Sequence, residues 1–179
     1  MGDITAHFSA YEFKCSCGCG GNGTSKVLVE KFEKIYEYLA GTERGVKSVN
    51  ITSGYRCPTH SVAVGGSADD AHTRGIAADF YALDKSGARW ASRELAAVCE
   101  KLGFSGIGVI DNTAVHADIR TTSNYKNGHW FGNEMTGNDN IQTWAEYLPK
   151  QVSTKSTAET KAVTLVIDGV TYKGTLTKA

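Results

Sequence analysis

The sequence has no excess of charge of either sign: 19 Lys and Arg stand against 19 Asp and Glu over 179 residues, a formal net charge of zero. A chain whose main partner is nucleic acid normally presents a basic face, so that class is disfavoured. No apolar run approaches the ~20 residues that span a bilayer, which excludes membrane insertion by such a helix. The opening Met1-Gly2-Asp3-Ile4-Thr5 lacks the basic start and apolar stretch of a secretory signal, so synthesis in the cytoplasm without a leader is expected. Proline is scarce, two residues against twenty glycines, which predicts many tight turns rather than long regular elements. Apolar residues make up 41% and charged residues 21%, an ordinary globular balance that argues against wholesale disorder. The length suffices to bury a core without disulfide staples.

Cysteine is present in an odd number, Cys15, Cys17, Cys19, Cys57 and Cys99, which does not read as a disulfide framework. The run Cys15-Ser16-Cys17-Gly18-Cys19-Gly20 admits two readings. Its thiols, with Cys57 as a fourth ligand, could hold a second, structural zinc. The spacing is not the usual Cys-x-x-Cys knuckle, however, and reduced or partly paired cysteines in a glycine-rich loop are the preferred reading.

Ser9 and Glu12 have capping-box spacing and predict a short helical turn. A helix is expected over about 26–40, where Leu28, Phe32, Ile35 and Leu39 form one stripe ahead of Gly41. Strands are expected at 49–52, 77–81, 107–110 and 114–120, and helices at about 88–102 and 141–148. The long Gly, Ser, Asp and Thr-rich stretch from 53 to 78 reads as a loop, of a length that is usually functional or disordered. This organisation gives a domain over residues 1–150, a linker of polar composition over 151–160, and a β-hairpin over 161–179 turned by Asp168-Gly169. One hairpin is marginal alone, so it must dock, pair with a second copy in self-association, or begin a longer module.

Two constellations carry chemistry. The stretch Ser67 to Phe80 places His72 before a glycine turn and Asp79 on a strand, opposite in direction to Ala78 and Phe80. The run Val115-His116-Ala117-Asp118-Ile119-Arg120 alternates strictly, with His116, Asp118 and Arg120 on one face. Two histidines and a carboxylate from separate segments make the usual ligand set of a catalytic zinc, with water in the fourth position. A further carboxylate must then take a proton, and Asp118 and Asp111 are the candidates. His60 reads as a loop or substrate-groove residue, and Trp130 as core closure or a platform for substrate. Asp69 and Asp70 read as a solvated turn.

The ordered set Ser53-Gly54-Tyr55-Arg56, His72-x-x-Gly75-x-Ala77-x-Asp79 and Val115-His116-Ala117-Asp118 resembles the zinc D-alanyl-D-alanine carboxypeptidase family of peptidoglycan peptidases, whose phage members include L-alanyl-D-glutamate endolysins. The likeness spans roughly residues 8–130. It implies an α+β fold with a small antiparallel sheet around a single zinc held by His72, Asp79 and His116. It also implies that Arg56 binds a substrate carboxylate or polarises the scissile carbonyl, a task suited to a planar guanidinium fork. Ser67, His60 and Trp130 become candidates to line the substrate groove. Many members carry the catalytic acid three residues before the last histidine ligand, where this chain has Thr113. Asp118 is therefore expected to be the general base, with Asp111 second. The expected function is zinc-dependent hydrolysis of a stem-peptide bond in bacterial peptidoglycan by an endolysin-like endopeptidase that reaches the wall by phage-type release or delivery. The alternatives are a D-Ala-D-Ala carboxypeptidase and a non-catalytic, zinc-containing wall-binding module.

Overall fold

The computed structural model describes residues 2–121, 129–152, 160–167 and 170–177. Among the described residues, three α-helices, α1 (Lys26–Ala40), α2 (Pro58–Ala63) and α3 (Ser92–Lys101), accompany seven strands, β1 (Ser48–Ser53), β2 (Ala77–Leu83), β3 (Gly106–Val109), β4 (Val115–Asp118), β5 (Trp130–Asn133), β6 (Thr160–Ile167) and β7 (Val170–Thr177). The first five strands form one sheet in the order β1-β2-β4-β3-β5. Every pairing in it is antiparallel except β3 with β5, which run parallel. The expectation of an α+β architecture thus stands, while the sheet is mostly rather than wholly antiparallel. Among the described residues no helix is long and apolar enough to cross a membrane.

The α1 stripe is fully buried, and Phe32 is its hub: the rings of Phe8, Phe13, Phe80 and Phe104 approach it edge-on at centroid distances of 5.0–6.1 Å. Such edge-to-face contacts pack a core while fixing the angles of the elements that carry the rings. Phe80 belongs to β2, so this cluster sets the back of the very strand that carries Asp79 on its other face.

Several elements depart from the sequence expectations for identifiable reasons. Helix α3 starts at Ser92, not near 88, because Asp84 organises a turn that returns the chain along β2. Its carboxylate accepts the N–H groups of Ser86 and Ala88, and the N–H of Trp90 then donates to the Ala82 carbonyl at 3.0 Å. Within the stretch read as loop, Pro58 sits in the first turn of the short helix α2, where its missing N–H is harmless. The expected helix at 141–148 is only a 3-10 turn, Ala145–Tyr147. The chain before that turn is held instead by Glu100 of α3, which accepts the Thr143 hydroxyl and the Trp144 N–H. Gln151 and Val152, expected to open the linker, are tied to the end of α1 through the Tyr38 and Gly41 carbonyls. Residues 153–159 of that expected linker, and Asp168-Gly169, lie outside the described residues. Strands β6 and β7 pair antiparallel over their whole length as a separate two-stranded sheet.

Candidate metal centre

On β2, Ala78, Phe80 and Ala82 are buried in the core and Asp79 points the other way. On β4, Val115 and Ala117 do the same opposite His116. The antiparallel register then sets Asp79 directly across from His116. His72 arrives from the turn before β2. Its carbonyl accepts the Arg56 N–H at 3.3 Å, which joins that turn to the segment following β1.

Three donor atoms converge here. His116 Nδ1 lies 2.9 Å from Asp79 Oδ1, and His72 Nε2 lies 3.2 Å from His116 Nδ1 and 3.3 Å from Asp79 Oδ1. Ligands at ~2.0–2.1 Å from one tetrahedral zinc stand about 3.3 Å apart, so the spacing and the donor types both fit that ion. Each ligand is also held from behind. His72 Nδ1 lies 2.8 Å from the Gly54 carbonyl, an obligate acceptor, so Nδ1 carries the hydrogen and Nε2 presents its lone pair. His116 Nε2 faces Asp118 Oδ2 at 3.1 Å, which turns Nδ1 towards the cluster. Asp79 Oδ2 accepts Arg56 Nη2 at 2.5 Å, which leaves Oδ1 to the cluster. Burial alone would raise the Asp79 carboxyl, but the neighbouring imidazoles of His116 and His72 hold it well below the usual carboxylate range. Burial likewise opposes charge on His116, yet Asp118 and Asp79 at its two ring nitrogens push it up to about 9.

A cavity of about 550 Å³ opens over these atoms, lined among others by Arg56, Asp70, His116, Arg120, Trp130 and Glu134. Arg56 is steadied by Ser53, whose hydroxyl accepts its Nε–H at 2.8 Å. The Trp130 ring meets His116 edge-on at 5.9 Å and carries the Arg120 guanidinium 5.3 Å from its centroid. That ring occupies space left by two glycines: a Cβ at Gly108 or Gly132 would come within 2.9 or 2.7 Å of it. Trp130 is therefore a wall of the cavity rather than core.

The other residues singled out from the sequence are placed differently from one another. Asp118 shares the sheet face of His116 but is fully buried and is not among the residues lining the cavity. Arg120 donates Nε–H to its Oδ1 at 2.8 Å and grips Oδ2 through Nη2, while His116 takes the remaining approach. Its carboxylate fits only because β3 places Gly106 opposite, where a Cβ would sit 2.0 Å from Oδ2. Burial pushes this carboxyl up, but the bonds from Arg120 and His116 outweigh it and keep it ionised. Asp111 is exposed and organises the β3–β4 turn by accepting the Thr113 and Ala114 N–H groups at 2.6 and 2.7 Å. His60 pairs with the Ser16 hydroxyl, and the Ser67 N–H donates to Asp70; neither residue lines the cavity. Asp70, read as part of a solvated turn, accepts the Ser61 hydroxyl and the Thr73 N–H and does line it. The carboxylate absent from the sequence expectations is Glu134. It follows β5, whose parallel pairing on β3 is fixed where the Glu134 N–H donates to the Val109 carbonyl at 2.9 Å. No local pattern announces a four-residue strand in so polar a stretch.

The histidine–histidine–aspartate cluster at the floor of this open cavity, backed by carboxylate and carbonyl partners, could hold a metal ion. The sequence model of the Peptidase M15 family matches residues 6–118. The chain belongs to that family of zinc peptidases, which includes D-Ala-D-Ala carboxypeptidases and endopeptidases. No curated protein matches the chain.

Proposed function

We propose that the chain hydrolyses a peptide bond in the stem peptide of bacterial peptidoglycan, as an endolysin-like endopeptidase. The observation that carries this reading is the convergence of His72 Nε2, His116 Nδ1 and Asp79 Oδ1 beside Arg56 under one cavity. His72, Asp79 and His116 would hold a zinc ion, which when bound supplies Lewis acidity and lowers the pKa of a coordinated water. Arg56 offers a guanidinium for a carboxylate beside the scissile bond, and stem peptides carry such carboxylates. Trp130 gives the substrate an apolar wall.

The proton acceptor in this reading is Glu134, not Asp118 or Asp111. A general base has to reach the substrate side of the site with a free oxygen. Glu134 lines the cavity, whereas both oxygens of Asp118 are engaged behind His116 and Asp111 is spent on a turn. Asp118 becomes the positioning residue that fixes the tautomer and orientation of His116, as outer carboxylates of zinc histidines do.

Mass spectrometry of purified peptidoglycan digested with the full chain, with zinc and again with a chelator, tests the reading. Chelator-sensitive products ending in L-alanine are expected. Released D-alanine would make the enzyme a carboxypeptidase instead. A chain that binds zinc through His72, Asp79 and His116 but leaves several wall types uncut would be a wall-binding module.

A further inference from the structure

Away from the cavity, a second cluster of metal-ligating groups remains without a role. Cys15, Cys17, Cys19 and Cys57 are all free thiols, and their four sulfurs lie within 4.8 Å of one another. Cys17 Sγ is 3.3 Å from Cys15 Sγ and 3.7 Å from Cys57 Sγ. Four sulfurs at ~2.3 Å from one tetrahedral zinc would be spaced at about 3.8 Å. A disulfide needs only two sulfurs at ~2.05 Å and gives no reason for four to share one small sphere. The sulfurs are also placed as acceptors. The Cys57 N–H donates to Cys15 Sγ and the Gly21 N–H to Cys19 Sγ, both at 3.4 Å. Thiolates accept such bonds better than thiols, and a metal ion is what keeps a group of thiolates together.

The geometry points to a structural zinc site formed by Cys15, Cys17, Cys19 and Cys57, which fastens the N-terminal loop to the segment carrying Arg56. This site is independent of the peptidase reading and would stand if that reading fell. The loop is built to wrap an ion: Gly18 and Gly20 take φ of +82° and +76°, and the Cys15 N–H closes the turn on the Gly21 carbonyl at 2.9 Å. All four positions are supplied by protein, the closed coordination of a structural rather than a catalytic site. Cys57 immediately follows Arg56, and Tyr55 on its other side donates its N–H to the Phe13 carbonyl at 2.7 Å. The ion would thus clamp one end of a short segment whose middle residue bonds Asp79. Closing the 42-residue separation between Cys15 and Cys57 also removes conformational freedom from the unfolded chain.

The test uses the full chain purified reduced and loaded with zinc. Elemental analysis is expected to give two zinc ions per chain, falling to one in a Cys17→Ser/Cys19→Ser variant and to one in His116→Ala. Loading with cobalt(II) supplies a readout that needs no variant: the wild type should show sulfur-to-metal charge transfer and the intense visible bands of a tetrahedral tetrathiolate. That spectrum should persist in His116→Ala and vanish in the cysteine variant. Alkylation followed by intact mass should modify none of the four thiols in the zinc form and all four after chelation. A single zinc per wild-type chain that the cysteine variant retains would overturn the proposal. So would a cobalt form without thiolate bands, or a mass short by the hydrogens of paired cysteines.

Discussion

The two clusters of ligating side chains are built on opposite plans. His116 and Asp79 stand on adjacent strands, held by main-chain register against a core of aromatic rings, and every ligand of that set has a partner behind it: Gly54 for His72, Asp118 for His116, Arg56 for Asp79. The thiols come from a glycine-rich loop and the start of α2, with Cys17 and Cys19 exposed and only N–H groups behind two of the sulfurs. A site that does chemistry needs orientation fixed by the scaffold and a coordination position left open, and three ligands with an outer layer provide both. A site that fastens a loop needs saturation, and four sulfurs provide it. If both clusters hold zinc as proposed, two places in one small protein favour the same ion for different reasons, and the difference is written in what lies behind the side chains.

The largest expected effect separates the two outright. His116→Ala should reduce hydrolysis of peptidoglycan to background and remove one zinc per chain, while the alkylation protection of the four thiols is unchanged. Loss of both ions in this variant, read by elemental analysis, would mean that the clusters are coupled and the division into a working site and a fastening site is false.

The next pair of variants asks what lies behind the ligands and what lies before them. Glu134→Gln should leave zinc content as it is and lower kcat by about 10²–10⁴-fold, the range typical of losing a general base. Asp118→Asn should weaken zinc binding by about 10–100-fold, the usual cost of removing an outer carboxylate. Most of its turnover should return when zinc is supplied in excess. Competition with a chromophoric chelator gives the affinity, and rates at saturating zinc give kcat. If Asp118→Asn keeps its zinc affinity and loses turnover, the roles are reversed and Asp118 takes the proton.

How far these roles could be read from the chain depends on how local each one is. Alternation along β2 and β4 brings Asp79 and His116 to one face, and periodicity gives α1 its bounds, because both patterns arise within a few consecutive residues. The same alternation puts Asp118 on the face of His116, and the structure agrees. What alternation does not convey is that Arg120 folds over that carboxylate, or that Gly106 on the neighbouring strand leaves room for it. Glu134 is hidden for a stronger reason. Its place depends on β5 pairing in parallel with β3, across a separation in sequence that no local pattern reports. Helix α2 is hidden within a polar stretch because its six residues are too few to show a period.

The smallest expected effect lies outside both clusters and supplies the background for their response to acid. Asp84 accepts the Ser86 hydroxyl at 2.6 Å and the Arg44 guanidinium at 3.1 and 3.2 Å, in the turn that delays α3. Hydrogen bonds from Ser86, then from Arg44 and the Ala88 N–H, hold its carboxyl down from 3.8 to about 2 against a smaller opposing effect of burial. The folded value lies below the unfolded one, so the stabilisation is complete above pH ~4 and is lost as the pH falls from there towards ~2. Asp84→Asn should lower Tm by a few degrees at neutral pH. The gap between the two thermal curves should narrow as the acid limit is approached, because the wild-type carboxyl then becomes neutral as well. Zinc content should be the same in both proteins throughout. A gap that stays constant down to pH ~2.5 would show that the charge of Asp84 is not what holds the turn. Loss of zinc in this variant at neutral pH would show that the scaffold turn and the metal clusters do not separate as drawn.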